Sequence, residues 1–182
     1  MDSHYDERKL TELIVYVAAR LRSDRSGGAT KLNKVLLFAD FAHVRRTGIP
    51  ITGAEYQKLE HGPAPRRLRP LRDALVAAGD AELREEEFLG YRQHRLVPLR
   101  EADLSVFTDD EMATVDKVLA DLDGMSAKQV SDLSHDEAGW RLTEMGETIP
   151  YAAALVGNRQ VSTPTSRRLE REAAERYGLV PS

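Results

Sequence analysis

The sequence predicts a mainly α-helical (α+β) fold: a compact multi-helix domain around a central apolar helix, with a small β-hairpin or short sheet on one side. Three observations predict it. Several segments repeat apolar residues at helical spacing between recognisable start and stop signals. Residues 31–47 are apolar around almost the whole circumference of a helix, which marks a helix surrounded by others. Only one long stretch, 81–99, reads as a hairpin.

The first helix is predicted from Ser3 as cap, with Asp6 three residues on as the acid of a capping box. Leu10, Leu13, Ile14, Val17 and Leu21 form its stripe, and Ser23–Gly28 is the flexible connection after it. Thr30 is the expected cap of the second helix, Gly48 its left-handed stop, with Pro50 beyond. Residues 51–65 read as loop and short extended structure, closed by the turn His61-Gly-Pro-Ala-Pro65. In the next helix Leu68, Leu71, Leu75 and Ala78 share a face and Gly79 ends it. Pro70 either opens the regular helix at its first position, the preferred reading, or kinks a longer one.

In the 81–99 hairpin, Phe88–Tyr91 is the turn and Pro98 marks an edge strand. Thr108-Asp-Asp-Glu111 and Ser126-Ala-Lys-Gln129 are capping boxes. The first leads into the stripe Met112, Val115, Val118, Leu119 and Leu122, the second into Val130 and Leu133. Ser134-His-Asp-Glu137 reads as a third box, making a corner anchored by Trp140. Residues 149–156 are small and apolar and should pack on the core. The expected organisation is a domain over 1–157, then a linker and short helical tail over 158–182, with Leu169, Ala173 and Tyr177 on one face.

The chain has 182 residues, the size of one core. It carries 26 Lys and Arg against 30 Asp and Glu, a net charge of −4, which disfavours globally basic nucleic-acid binding. Cysteine is absent, so disulfides, zinc–thiolate sites, iron–sulfur clusters and thiol nucleophiles are excluded, and a reducing cytoplasm fits. The charged start MDSHYDERKL has no signal-peptide core. The longest apolar runs fall short of the ~20 residues that span a bilayer.

Catalytic patterns are sparse. His4, His43, His61, His94 and His135 form no i, i+4 pair. Asp40 and His43, at i, i+3, make at most a two-ligand edge and more simply a hydrogen-bonded pair. Ser134-His135-Asp136 cannot act as a triad, because consecutive helical residues point about 100° apart. Gly27-Gly28 is no phosphate-binding loop. No metal or cofactor is expected.

Two features stand out. Asp40 lies in an apolar helix, so it either meets a basic or N–H donor from another helix (Trp140, His135 or the 66–72 segment) or sits on a narrow wet strip. Arg66, Arg67, Arg69 and Arg72 place four arginines within seven residues. They make a patch for phosphate or an acidic partner, unless Glu82, Glu85, Glu86 and Glu87 compensate it.

Four blocks, in order, resemble a known family. Lys31-Leu-Asn-Lys-Val-Leu-Leu-Phe-Ala-Asp40 is similar to its opening K-L-x-K-L-L-Y-F-A helix, and Thr47-Gly-Ile-Pro-Ile-Thr-Gly53 to its T-G-x-P-I stretch. His61-Gly-Pro-Ala-Pro65 is similar to its Y-G-P-V-P turn, and Leu133-Ser-His-Asp-Glu137 with Trp140-Arg141 to its L-S-H-x-E-x-x-W-K corner. These resemble the Panacea domain, the SocA-like antitoxin family, also met in phage-associated proteins. The resemblance spans about Ala29 to Trp140; His61 and Val35 depart from the usual aromatic and Leu, and the tail has no counterpart.

The resemblance implies a mostly helical domain with a small β element. It implies a non-enzymatic antitoxin that binds a toxin encoded by a neighbouring gene, many such toxins being translation inhibitors, some of them related to alarmone synthetases. Some relatives are adaptors that hand the toxin to a protease. Of the signature positions Lys31, Leu32, Lys34, Leu36, Asp40, Gly62, Pro63, Leu133, Ser134, His135 and Trp140, the expectation is mainly structural service: Leu32, Leu36 and Trp140 as core, Gly62 and Pro63 as turn, Ser134 as cap. Partner contact is then expected at Arg66, Arg67, Arg69 and Arg72, the hairpin and the tail. Self-association remains open, a membrane is not expected, and a DNA-binding autorepressor is the alternative that the arginines favour and the net acidity opposes.

Overall fold

The computed structural model describes residues 4–88 and 90–156. The expected linker and tail, 158–182, lie outside the described residues, as does the expected cap Ser3. Helix α1 runs Glu7–Arg20. Its cap is Asp6 itself, whose carboxylate accepts from the Lys9 amide at 2.9 Å. Helix α2 runs Ala29–Thr47 with Gly28 at the cap position and no side-chain cap. Thr30 is therefore already inside the helix rather than capping it. Gly48 ends it at φ +81°, as expected.

Helix α2 packs against more of the molecule than any short stretch of sequence could indicate. It touches α1 and two later helices, α4 (Asp109–Asp121) and α5 (Ala127–His135). It also meets the short β2 (Ala64–Pro65), the strand β4 (Tyr91–Pro98) and the 3-10 segment Tyr151–Leu155. Its buried side chains include Val35, Leu36, Leu37 and Phe41, but also Lys31, Lys34, Asp40 and His43.

Two sheets flank the helices. β1 (Tyr56–Gln57) lies between β2 and β5 (Thr148–Ile149), antiparallel to both, with Tyr56 opposite Pro65 and Ile149. The sequence reading did not expect β5, because two residues are too few to show an alternation. β3 (Ala81–Phe88) and β4 form the expected hairpin, in register from Ala81↔Pro98 to Phe88↔Tyr91.

Between the sheets α3 covers Leu68–Ala77 and buries Leu71 and Leu75. Pro70 is its third residue, not its first, and causes no break: the first-turn amides have no intrahelical acceptor to lose. Both expected capping boxes form, at Thr108 with Glu111 and at Ser126 with Gln129. The third does not. α5 runs on through Ser134 and His135, Ser134 donates back to the Ser131 carbonyl at 2.6 Å, and α6 (Ala138–Leu142) starts after Glu137 without a side-chain cap. The 149–156 stretch packs on the core through Ile149, Ala153 and Ala154, while Leu155 and Val156 are exposed. Among the described residues, no helix is long and apolar enough to cross a membrane.

Candidate functional site

Lys31 and Lys34, one turn apart on α2, are each 1% exposed. Lys31 donates to Asp24 at 2.6 Å and to the Met125 carbonyl at 2.8 Å, tying the loops after α1 and α4 to α2. Lys34 has no carboxylate partner among the described residues. Its Nζ donates to the Pro63 carbonyl at 2.8 Å, and burial pushes it down to about 8. Gly62, at φ +92°, lies directly over it: a Cβ there would stand 2.7 Å from both Lys34 Nζ and Ser134 Oγ. The side chains singled out on α2, the 61–65 turn and α5 therefore meet in one place, which spacing alone does not reveal.

The α5–α6 corner closes over this point. His135 stacks on Trp140 with ring centroids 4.2 Å apart, and Lys58 places its ammonium 4.4 Å over the indole. Burial first, and the Lys34 charge second, lower the His135 pKa. Trp140 is half-buried against the core rather than within it, and Leu133 is 41% exposed. Leu32 and Leu36 are core, as expected.

Asp40 is fully buried, and neither of its expected environments is present. Its carboxylate accepts from the Thr52 amide at 2.8 Å, the Thr52 hydroxyl at 2.6 Å, Tyr56 at 2.8 Å and Tyr151 at 3.2 Å. Trp140, His135 and the 66–72 arginines are not its partners. The chain doubles back after α2 and lays Thr52 and Tyr56 against it instead. Each tyrosine also faces a main-chain carbonyl, Leu36 for Tyr56 and Ala54 for Tyr151, at 2.8 and 2.7 Å. Burial raises the Asp40 pKa, and the hydrogen bonds from Thr52, Tyr56 and Tyr151 oppose the rise. Nor does Asp40 pair with His43, whose Nδ1 sits 2.6 Å from the Ile49 carbonyl. Among the described residues, no group of three or more His, Asp or Glu is placed to hold a metal.

The four arginines do not form one bare patch. Arg67 turns to Glu7 on α1 at 2.8 Å. Arg66 donates to Gln57, the Gly146 carbonyl and Thr148, joining α3 to the three-stranded sheet. Arg72 holds its neighbour Asp73. Arg69 is exposed, with no ion pair among the described residues. The compensation expected from the β3 glutamates does not occur: Glu82, Glu85 and Glu86 pair with Arg84, Arg92 and Arg95 instead. Arg66, Arg69 and Arg72 line a groove of about 490 Å³ between α3, the start of α2 and the hairpin.

Compared with known protein families, residues 32–141, more than half of the chain, match the family described as antitoxin SocA-like, Panacea domain. Every signature and arginine position discussed above lies inside that range except Lys31. No curated protein and no solved structure matches the chain.

Proposed function

The chain belongs to the SocA-like antitoxin family that carries the Panacea domain, and from that premise we propose that it is a non-enzymatic antitoxin that neutralises a toxin encoded by a neighbouring gene through direct protein contact. The observation that carries the proposal, beside the family, is how the signature side chains are used. Lys31, Lys34, Asp40 and Ser134 have the chemistry of a site, yet all are at most 1% exposed; the first three hold loops against α2, and Ser134 turns back onto its own helix. In this reading α2 is the hub, residues 1–157 are the binding unit, and the exposed faces carry specificity. A stable complex needs about 1,200–2,000 Å² of buried surface, which such faces supply.

Co-expression with the neighbouring gene product tests the proposal. Expected are growth arrest by the neighbour alone, rescue by this chain, and co-purification of the two at undiminished toxin level. A harmless neighbour, or arrest that persists beside this chain, overturns it. Rescue with disappearance of the toxin would point instead to delivery to a protease.

A further inference from the structure

Resting on the antitoxin reading, we propose that the groove between α3, the start of α2 and the β3–β4 hairpin is where the partner docks. Its occupant is an acidic segment of that partner with apolar side chains along one face. The groove has an apolar floor and a cationic rim. Leu32 and Leu96 at its base are buried, whereas Leu83 on the hairpin is 39% exposed, a large apolar side chain facing the opening. Arg66, Arg69 and Arg72 line it, and no carboxylate stands among its described lining residues, although the whole chain is acidic with 30 Asp and Glu.

Arg69 supplies the exposed rim charge, with no ion pair among the described residues, whereas Arg72 is paired with its chain neighbour Asp73, and Arg66 donates to Gln57, the Gly146 carbonyl and Thr148 and lies 3.8 Å from Glu55. Asn33 also lines the groove, and its Oδ1 is buried without a hydrogen-bond partner. The arginines would meet carboxylates; the leucines would take the apolar side chains. This is how an amphipathic segment lies in a groove, and arginines around an apolar centre are where binding energy concentrates. A nucleic-acid backbone would use the rim but leave the leucine floor unfilled.

Two arms test it on the full chain. In the first, a short helical peptide with a leucine stripe flanked by glutamates is titrated by fluorescence anisotropy. It is compared with a lysine-flanked version of the same peptide and with duplex DNA. The glutamate peptide is expected to bind, to weaken as salt rises, and to lose about tenfold or more on the double variant Arg69→Glu, Arg72→Glu and on Leu83→Asp. Absent binding, equal binding by the lysine peptide, undiminished binding to the variants, or a preference for DNA overturns the proposal.

In the second arm, the same variants, checked for unchanged melting, are co-expressed with the toxin. They are expected to lose rescue, while Lys117→Glu on the far, exposed face of α4 keeps it. Full rescue by the groove variants overturns the docking site and leaves the antitoxin reading standing. Failure of the unaltered chain to rescue overturns the antitoxin reading, and the peptide arm then decides the groove by itself.

Discussion

Lys34 and Asp40 sit on the same helix and illustrate opposite ways of burying charge. Lys34 has one carbonyl and no anion among the described residues, so burial lowers its folded pKa from 10.5 to about 8. Between these values the unfolded chain binds the proton and the folded chain does not, and stability therefore rises with pH across that window. At neutral pH both states are charged, and burial costs on the order of 3 kcal/mol. Lys34→Met should accordingly raise stability at pH 7 by on the order of 1–3 kcal/mol, the loss of a partner for the Pro63 carbonyl reducing the gain. It should also abolish the rise above pH 8, as measured by urea unfolding of both proteins over a pH series. Asp40 is different: four donors converge on it. Asp40→Ala leaves the Thr52 amide and hydroxyl without an acceptor and opens a buried gap, and should cost about 3–5 kcal/mol in the same unfolding measurement. That Asp40 had to find partners was legible from one acid in an apolar helix. That Thr52, Tyr56 and Tyr151 would supply them was not, because they come from 12, 16 and 111 positions away along the chain.

At the scale of elements, local chemistry decided most starts and stops. Thr108 and Ser126 cap α4 and α5 because their hydroxyls accept the amide three residues on, with the Glu and Gln answering back. Thr108→Ala should cost about 1 kcal/mol and lower the melting temperature by roughly 2–4 °C, by calorimetry. Ser134 carries the same pattern to a different end, since its hydroxyl donates to the Ser131 carbonyl and α5 continues past it. Burial beneath Gly62 selects that conformation. Close approach also sets the α6 corner, where a Cβ on Gly139 would lie 2.5 Å from Ile149 Cγ2 and 3.1 Å from Ala153 Cβ. Gly139→Ala should overpack this contact at a cost of about 1–3 kcal/mol, read as a lowered denaturant midpoint. The corresponding change at Gly62 should be worse, because φ +92° adds backbone strain to the clash with Lys34 and Ser134.

Across the whole molecule, α1 and the hairpin are held in fixed relation by charged ties as well as by the core. Arg95, buried, donates to the Leu21 carbonyl at the end of α1 and to Glu86, and Arg100 grips Glu12 with both terminal nitrogens at 2.7 and 2.8 Å. The hairpin wall of the groove is thereby preorganised, which reduces the ordering a partner must impose. A cognate toxin that binds only the folded chain should stabilise it by about 2.7 kcal/mol when present at a hundred times Kd. The check is a thermal shift that grows with toxin concentration and vanishes with an unrelated protein.

By itself, the sequence determined the main helices, the two working capping boxes, the hairpin with the place of its turn, and the family, because each rests on neighbours within a few residues or on blocks in fixed order. The tertiary structure alone decided which donors reach Asp40, that Lys34 lies under Gly62 against the Pro63 carbonyl, and how the arginines divide between α1, the small sheet and the groove. Periodicity says which face of a helix is covered, but chain reversals hundreds of atoms away choose what covers it, and hydrogen bonds and ion pairs act only over the last few ångströms of that choice.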